Sequence, residues 1–322
     1  MSDDPSLSSC WVVSDAGKVG TLNQCTGLAE GLGFIPRIIE IQPKSFWSLL
    51  PASLWPFPLS GITPKLTPPW PQLIIAAGRA SVSPTARIRQ ITQGRTKVVQ
   101  LQNPRIDPAL FDAVIAPAHD KLSGPNVITT KGALHRVTMQ RVRTDVARFK
   151  DIFASLPRPI ITVLIGGTNR CYSITPTVMN KLVDSLKAVL SQNGGSLAVT
   201  VSRRTEPENL MALKAALTGL PHYLWSGDGD NPYFAMLGIA DAIVVTSDSV
   251  SMTSEACAMG APVYVYHLPG GSRKFASFHR SFEEQGLTKP LLSLIDLQDR
   301  HLPLFEMDDV LQRLRSLLSL PG

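Results

Sequence analysis

The chain has 322 residues, more than one ordinary α/β domain holds, because domains cluster near roughly 100 to 200 residues; two are expected. A composition 44% hydrophobic and 17% charged excludes wholesale disorder, and the lack of any run of roughly 18 to 20 apolar residues excludes a spanning helix. The net charge of +6 is concentrated in residues 79–150, where thirteen Lys and Arg face four Asp and Glu for a local net of +9.

In chain order, short β-branched runs alternate with amphipathic stretches, the pattern of βαβ units in a parallel sheet. The first half is expected to form strands at 10–14, 37–41, 73–77, 97–101, 112–116 and 126–130. A basic helix is predicted over 136–155, closed by Pro157 and Pro159, which divides the chain into domains 1–157 and 158–322. The second half continues with strands at 160–167, 197–202, 222–225, 242–247 and 262–266, then a final amphipathic helix from Met307 to Leu320.

Residues 46–60, FWSLLPASLWPFPLS, break the alternation. The segment is expected either to cover the domain as a packed loop or to insert Trp47 and Trp55 at the headgroup level of a membrane. The basic block 79–150 suits a phosphate-rich partner. Without a zinc finger, an RNP motif or basic runs interleaved with aromatics, an anionic membrane surface is favoured over nucleic acid. The start MSDDPSLSS is unlike a signal peptide, so the expected location is cytoplasmic, peripheral on the inner face of the membrane.

Ligands of open parallel sheets sit beyond the carboxyl ends of the strands, where helix N-termini attract anions. After the first strand comes SDAGKVGTLNQ, in which Gly17 and Gly20 allow close backbone approach, Lys18 adds charge and Asn23 opens the helix. It matches only the last two glycines of GxGxxG, with Asp15 at the first position; Glu40 follows about 20 residues on, which leaves a nicotinamide cofactor open. In the second half IGGTNR offers Gly166, Gly167, Thr168, Asn169 and Arg170, and the next strand ends in Ser202, Arg203 and Arg204, whose guanidinium forks suit a diphosphate. After the strand at 242–247, the hydroxyl-rich turn of Ser247, Asp248 and Ser249 can cap a helix carrying Glu255, near enough to hydrogen-bond a ribose. The cysteines Cys10, Cys25, Cys171 and Cys257 form no Cys-x-x-Cys pair and the histidines no i, i+4 pair, so no metal site is expected.

The segments DAGKVGTLNQCTGLAEGLG, FDAVIAPAHD, IGGTNR, VSRRT, NPYFAMLGIADAIVVTSDSVSMTSEA and GAPVYVY together resemble bacterial members of the family named after the plant mitochondrial fission Elm proteins. Residues 244–266 are also similar to the nucleotide-sugar motif of GT-B glycosyltransferases, whose hydroxyl-rich turn holds phosphates and whose helix Glu holds the ribose. The resemblance implies a GT-B-like architecture, two Rossmann-like parallel-sheet domains facing a cleft, and no established reaction. From position, the expected activity is that of a metal-independent glycosyltransferase with a nucleotide-diphosphate sugar as donor substrate on the second domain and no further cofactor. Its acceptor, of cell-envelope or membrane-associated type, would lie on the first. Asp15 is the first candidate general base; His119, with Asp120 to orient it, is the second. A nucleotide-sugar 2-epimerase on the same fold and a non-catalytic membrane-surface scaffold are the alternatives.

Overall fold

The computed structural model describes residues 9–292 and 295–319, with the side chains of Ser45 and His119 outside the description. The chain forms two compact units. One takes the residues up to Arg136 together with those from Glu306 onward; the other runs from Val137 to Phe305.

In the first unit the elements are β1 (Cys10–Asp15), α1 (Val19–Gly31), β2 (Arg37–Pro43), α2 (Ser45–Leu49), β3 (Ile62–Thr63), β4 (Leu73–Ala77), α3 (Arg79–Ile91), β5 (Lys97–Leu101), β6 (Ala113–Pro117) and β7 (Val127–Thr130). The second unit supplies α4 (Met139–Arg148), α5 (Lys150–Phe153), β8 (Ile160–Ile165), α6 (Pro176–Asn193), β9 (Ser196–Val201), α7 (Pro207–Leu217), β10 (His222–Trp225) and α8 (Tyr233–Ile239). It continues with β11 (Ala242–Thr246), α9 (Val250–Ala256), β12 (Val263–Tyr266), α10 (Arg273–Glu284) and β13 (Lys289–Pro290), before α11 (Met307–Leu318) rejoins the first unit.

The strand orders are β3-β2-β1-β4-β5-β6-β7 and β10-β9-β8-β11-β12-β13. Every pairing is parallel except β2 with β3. Each sheet grows one way from its first strand and then reverses, so β1 lies between β2 and β4, and β8 between β9 and β11. Such reversal points are where the strand ends part to leave room for ligands. Helices cover both faces, which is why β4, β8, β9 and β11 are buried throughout and read as unbroken apolar runs. In the first unit one core layer joins Val12, Leu28, Ile75 and Val99, and the opposite layer joins Trp11, Ile39, Ile74 and Ile88.

The unit boundary lies at Arg136, not at residue 157. The basic helix expected over 136–155 is two helices, α4 and α5, and α4 packs on α8, where Gly238 lets Val142 and Val146 approach; a Cβ on Gly238 would stand 2.5 Å from Val142 Cγ1. That contact draws the helix into the second unit. The final helix goes the other way: Leu311 sits over Gly31 of α1, and Arg315 Nη2 donates to Gly31 O at 2.9 Å. Leu320, its expected end, lies outside the described residues.

Residues 46–60 are a braced cover of α2 and two 3-10 turns. Trp55 is buried, its Nε1 donating to Leu50 O at 3.2 Å, and Trp47 is half-buried with its ring 5.7 Å from that of Trp55. The two tryptophans therefore pack inward and do not project for insertion. Apolar side chains that do project are Phe46, Leu49, Leu54 and Phe57. No helix among the described residues is long and apolar enough to cross a membrane.

Candidate functional site

Register sets the geometry at both reversal points. In the first unit Ser14 pairs with Ala77, so Asp15 emerges beside Gly78 and the first turn of α3. The carboxylate of Asp15 accepts from Arg79 N at 3.0 Å and Ala80 N at 2.9 Å, satisfying two of the amides that a helix start leaves open. Gly78 is required here: its φ is +100°, and a Cβ would lie 2.4 Å from Asp15 Cγ. Burial raises the Asp15 pKa, while the two amides and the charges of Lys18 and Arg79 pull against the rise. Asp15, read from sequence as a general base, thus caps α3 in this structure.

Around it, Gly17 has φ +76° and its N donates to Glu40 Oε2 at 3.0 Å, so Glu40 braces the loop instead of standing free for a ribose. Lys18, Gly20 and Asn23 are exposed on the start of α1. His119 and Asp120 sit in a 3-10 turn after β6, three strands along the sheet from Asp15, or about 14 Å at the usual strand spacing. The two candidate bases are not brought to one point, and the His119 side chain lies outside the description.

In the second unit Val245 pairs with Leu164, which sets the end of β11 beside Gly166 and Gly167. The carboxylate of Asp248, fully buried, reaches back across this point. It accepts from Gly167 N at 3.0 Å, Thr246 Oγ1 at 2.7 Å and Arg204 Nη2 at 2.9 Å. Arg204 also donates to Gly167 O at 2.9 Å, and Thr205 Oγ1 to Gly166 O at 2.6 Å. The paired glycines are needed for this packing: a Cβ on Gly166 would meet Asp248 Oδ1 at 2.1 Å, and one on Gly167 the Arg204 carbonyl carbon at 2.3 Å.

The anion cradle read at Gly166 and Gly167 is accordingly filled by the protein's own carboxylate. Ser247 is buried as well, its Oγ accepting from Leu268 N and its carbonyl bonding His279 Nε2 at 2.8 Å. Of the hydroxyl-rich turn only Ser249 caps α9, accepting from Met252 N at 3.2 Å. Asn169 ties its loop by accepting from Cys171 N and Tyr172 N and donating to Asp248 O. Thr168 Oγ1 accepts from Ile174 N, and Ser202 Oγ accepts from Arg204 N. Arg170 and Arg203 remain exposed at this edge.

Glu255 stands six residues beyond the Ser249 cap, about 9 Å along the α9 axis. It is half-buried and accepts a hydrogen bond from the Tyr233 hydroxyl. Burial pushes the carboxyl pKa up to about 7, opposed by that hydrogen bond, and holds the tyrosine well above its usual value. Tyr233 and Thr246 were not identified from the sequence. A strand-end threonine before Ser247 was a weak signal for Thr246; nothing local marks Tyr233, whose partner is 22 residues away on another helix. Among the described residues no group of three or more His, Cys, Asp and Glu is arranged to hold a metal ion.

Two units, each a doubly wound parallel sheet with its reversal point flanked by loops, make this a chain of the GT-B class of fold. Solved structures agree at the level of fold. MurG of Acinetobacter baumannii is similar with a TM-score of 0.52 at 12% identity, over 97% of this chain and 92% of that one. The UDP-GlcNAc 2-epimerase of Neisseria meningitidis, solved bound to UDP-GlcNAc, is similar with a TM-score of 0.52 at 11% identity, over 97% and 93%. The chain belongs to the mitochondrial fission ELM1 family, whose model matches residues 19–318. It is 32% identical over 278 residues to the mitochondrial fission protein ELM1 of Arabidopsis thaliana, covering 78% of this chain, and spans 65% of that protein's length.

Proposed function

We propose that the chain is a metal-independent glycosyltransferase whose second unit binds a nucleotide-diphosphate sugar. The observation that carries the reading is the half-buried Glu255 on α9, the helix that follows the reversal-point strand β11, a carboxyl whose described side-chain partner is one tyrosine hydroxyl. A ribose offers the two hydroxyls such an acceptor takes, and the fold is shared with an enzyme solved with UDP-GlcNAc. Departure of the nucleotide diphosphate develops negative charge that must be met by fixed donors and cations. Arg170 and Arg203 are the exposed cations for that task, because Arg204 is held by Asp248. Asp15 stays the candidate base for the acceptor hydroxyl, since each of its oxygens accepts a single described N–H and burial raises its basicity.

The test is calorimetry of the full chain with UDP-GlcNAc and other nucleotide sugars, with magnesium and with a chelator, followed by an assay for released nucleotide diphosphate. Binding is expected in chelator, and at about pH 8, where Glu255 is ionised, Glu255→Ala should weaken it by about 1.5 to 3 kcal/mol, the range for a hydrogen bond to a charged group. Chelator-sensitive binding or an unchanged affinity in the variant would sink the assignment. The family description favours a second, non-catalytic reading: binding without any product release, with or without an acceptor, would decide for it. Conversion of the sugar without an acceptor would identify an epimerase instead.

A further inference from the structure

The cover segment of the first unit leaves a groove of about 800 Å³ against α3, with Trp55, Phe57, Leu59, Arg87, Ile106 and Leu110 among its walls. Phe57 is 70% exposed, and Leu54 and Leu49 beside it in sequence are 61% and 81% exposed. These side chains do not project from a slack loop. Arg79 and Ser83, both on α3, donate to Leu50 O and Ala52 O, and the stacked Trp47 and Trp55 anchor the segment from below. A braced segment that holds several large apolar side chains in water marks an interaction surface.

Charge identifies the partner. From Ile41 to Ile106 the chain contains eight Lys and Arg and no Asp or Glu, and the exposed Asp107, between the groove residues Ile106 and Leu110, is the acid next to it in sequence. Arg89 and Lys97 are taken by Asp112, but Arg87 on the groove wall is exposed with Gln90 as its described side-chain partner, and Lys44 stands exposed at the foot of the segment. Apolar tips among a marked excess of cations match a surface that is apolar beneath and anionic above. We infer that the first unit docks on an anionic phospholipid bilayer through the groove between residues 52–60 and α3, with Leu54 and Phe57 entering the headgroup layer and Arg87 meeting lipid phosphate. This surface is separate from the nucleotide-sugar reading, and its test needs no nucleotide.

The full chain is sedimented with vesicles of phosphatidylcholine alone and of phosphatidylcholine with phosphatidylglycerol. Binding is expected to the second only and to fall as salt shortens the screening length. A Leu54→Ser, Phe57→Ser double variant should lose about tenfold or more in partitioning, given the worth of burying two such side chains. Arg87→Glu should bind less and with a shallower salt dependence, and it carries the test if the double variant fails to fold by its melting profile. Ile35→Ser, at a side chain 98% exposed elsewhere in the unit, should bind as the wild type does. A wild type that ignores anionic vesicles at low salt overturns the inference, as does full binding by both groove variants, or an equal loss in Ile35→Ser.

Discussion

At the reversal point of the first unit the carboxylate comes from the end of β1 and caps the helix after β4; in the second it comes from beyond β11 and reaches back to the loop after β8. Both units thus fill, with a side chain of their own, the spot where this topology gathers unpaired N–H groups. They differ in how firmly. Asp15 is half-buried and held by two amides, whereas Asp248 is sealed from solvent and also holds a threonine hydroxyl and the Arg204 guanidinium. A carboxylate held only by amides leaves those amides open to another anion once it is removed. One locked by a cation and a threonine hydroxyl is part of the scaffold, which under the proposed function leaves the exposed Arg170 and Arg203 to meet a diphosphate.

The largest separation is expected from Asp248→Ala, which leaves Gly167 N, Thr246 Oγ1 and Arg204 without their shared acceptor. The loss should be about 3 kcal/mol or more in urea unfolding, because buried donors lose their partner. A loss below about 1 kcal/mol would erase the distinction between the two sites. Asp15→Ala should cost less, about 1 to 2 kcal/mol, the usual worth of a helix cap. Added sulfate should restore part of its melting temperature by taking the freed amides, and should not rescue Asp248→Ala; equal rescue of both would break the contrast.

The remaining effect is one of pH. The folded carboxyl of Glu255 titrates near 7 against 4.5 for the free group, so folding takes up a proton between these values. The stability that this proton contributes is fully present below the lower value and lost as pH rises through the upper one. The melting temperature of Glu255→Gln relative to wild type should therefore climb between about pH 5 and about pH 8. A difference that does not change with pH would show that Glu255 is not held in the surroundings described.

Much of the fold was legible because a parallel sheet covered on both faces writes its strands as unbroken apolar runs; every strand so expected is present. The edge strands β3 and β13 were missed, since two residues carry no period. The unit boundary was misread for a related reason: Pro157 and Pro159 mark a chain break that local chemistry can show, whereas the seat of α4 on α8 depends on Gly238, about a hundred residues away. At the candidate site, Glu255 could be placed relative to its cap because both ride one helix. Asp15 with Arg79, and Asp248 with Gly167, lie 64 and 81 residues apart and meet only through strand register. Glycines that read as room for a ligand turned out to be room for a carboxylate, a choice composition alone cannot separate.

Because α11 belongs with α1, the first unit is interrupted by the whole of the second. On the ribosome, the apolar patch that Leu311 and Leu314 cover must wait for on the order of 170 further residues, roughly 10 to 30 s at ordinary elongation rates. The second unit can close meanwhile, so the part of the chain begun first is the part finished last. Slower translation, with no change in the core itself, would lengthen the interval in which that patch stays uncovered.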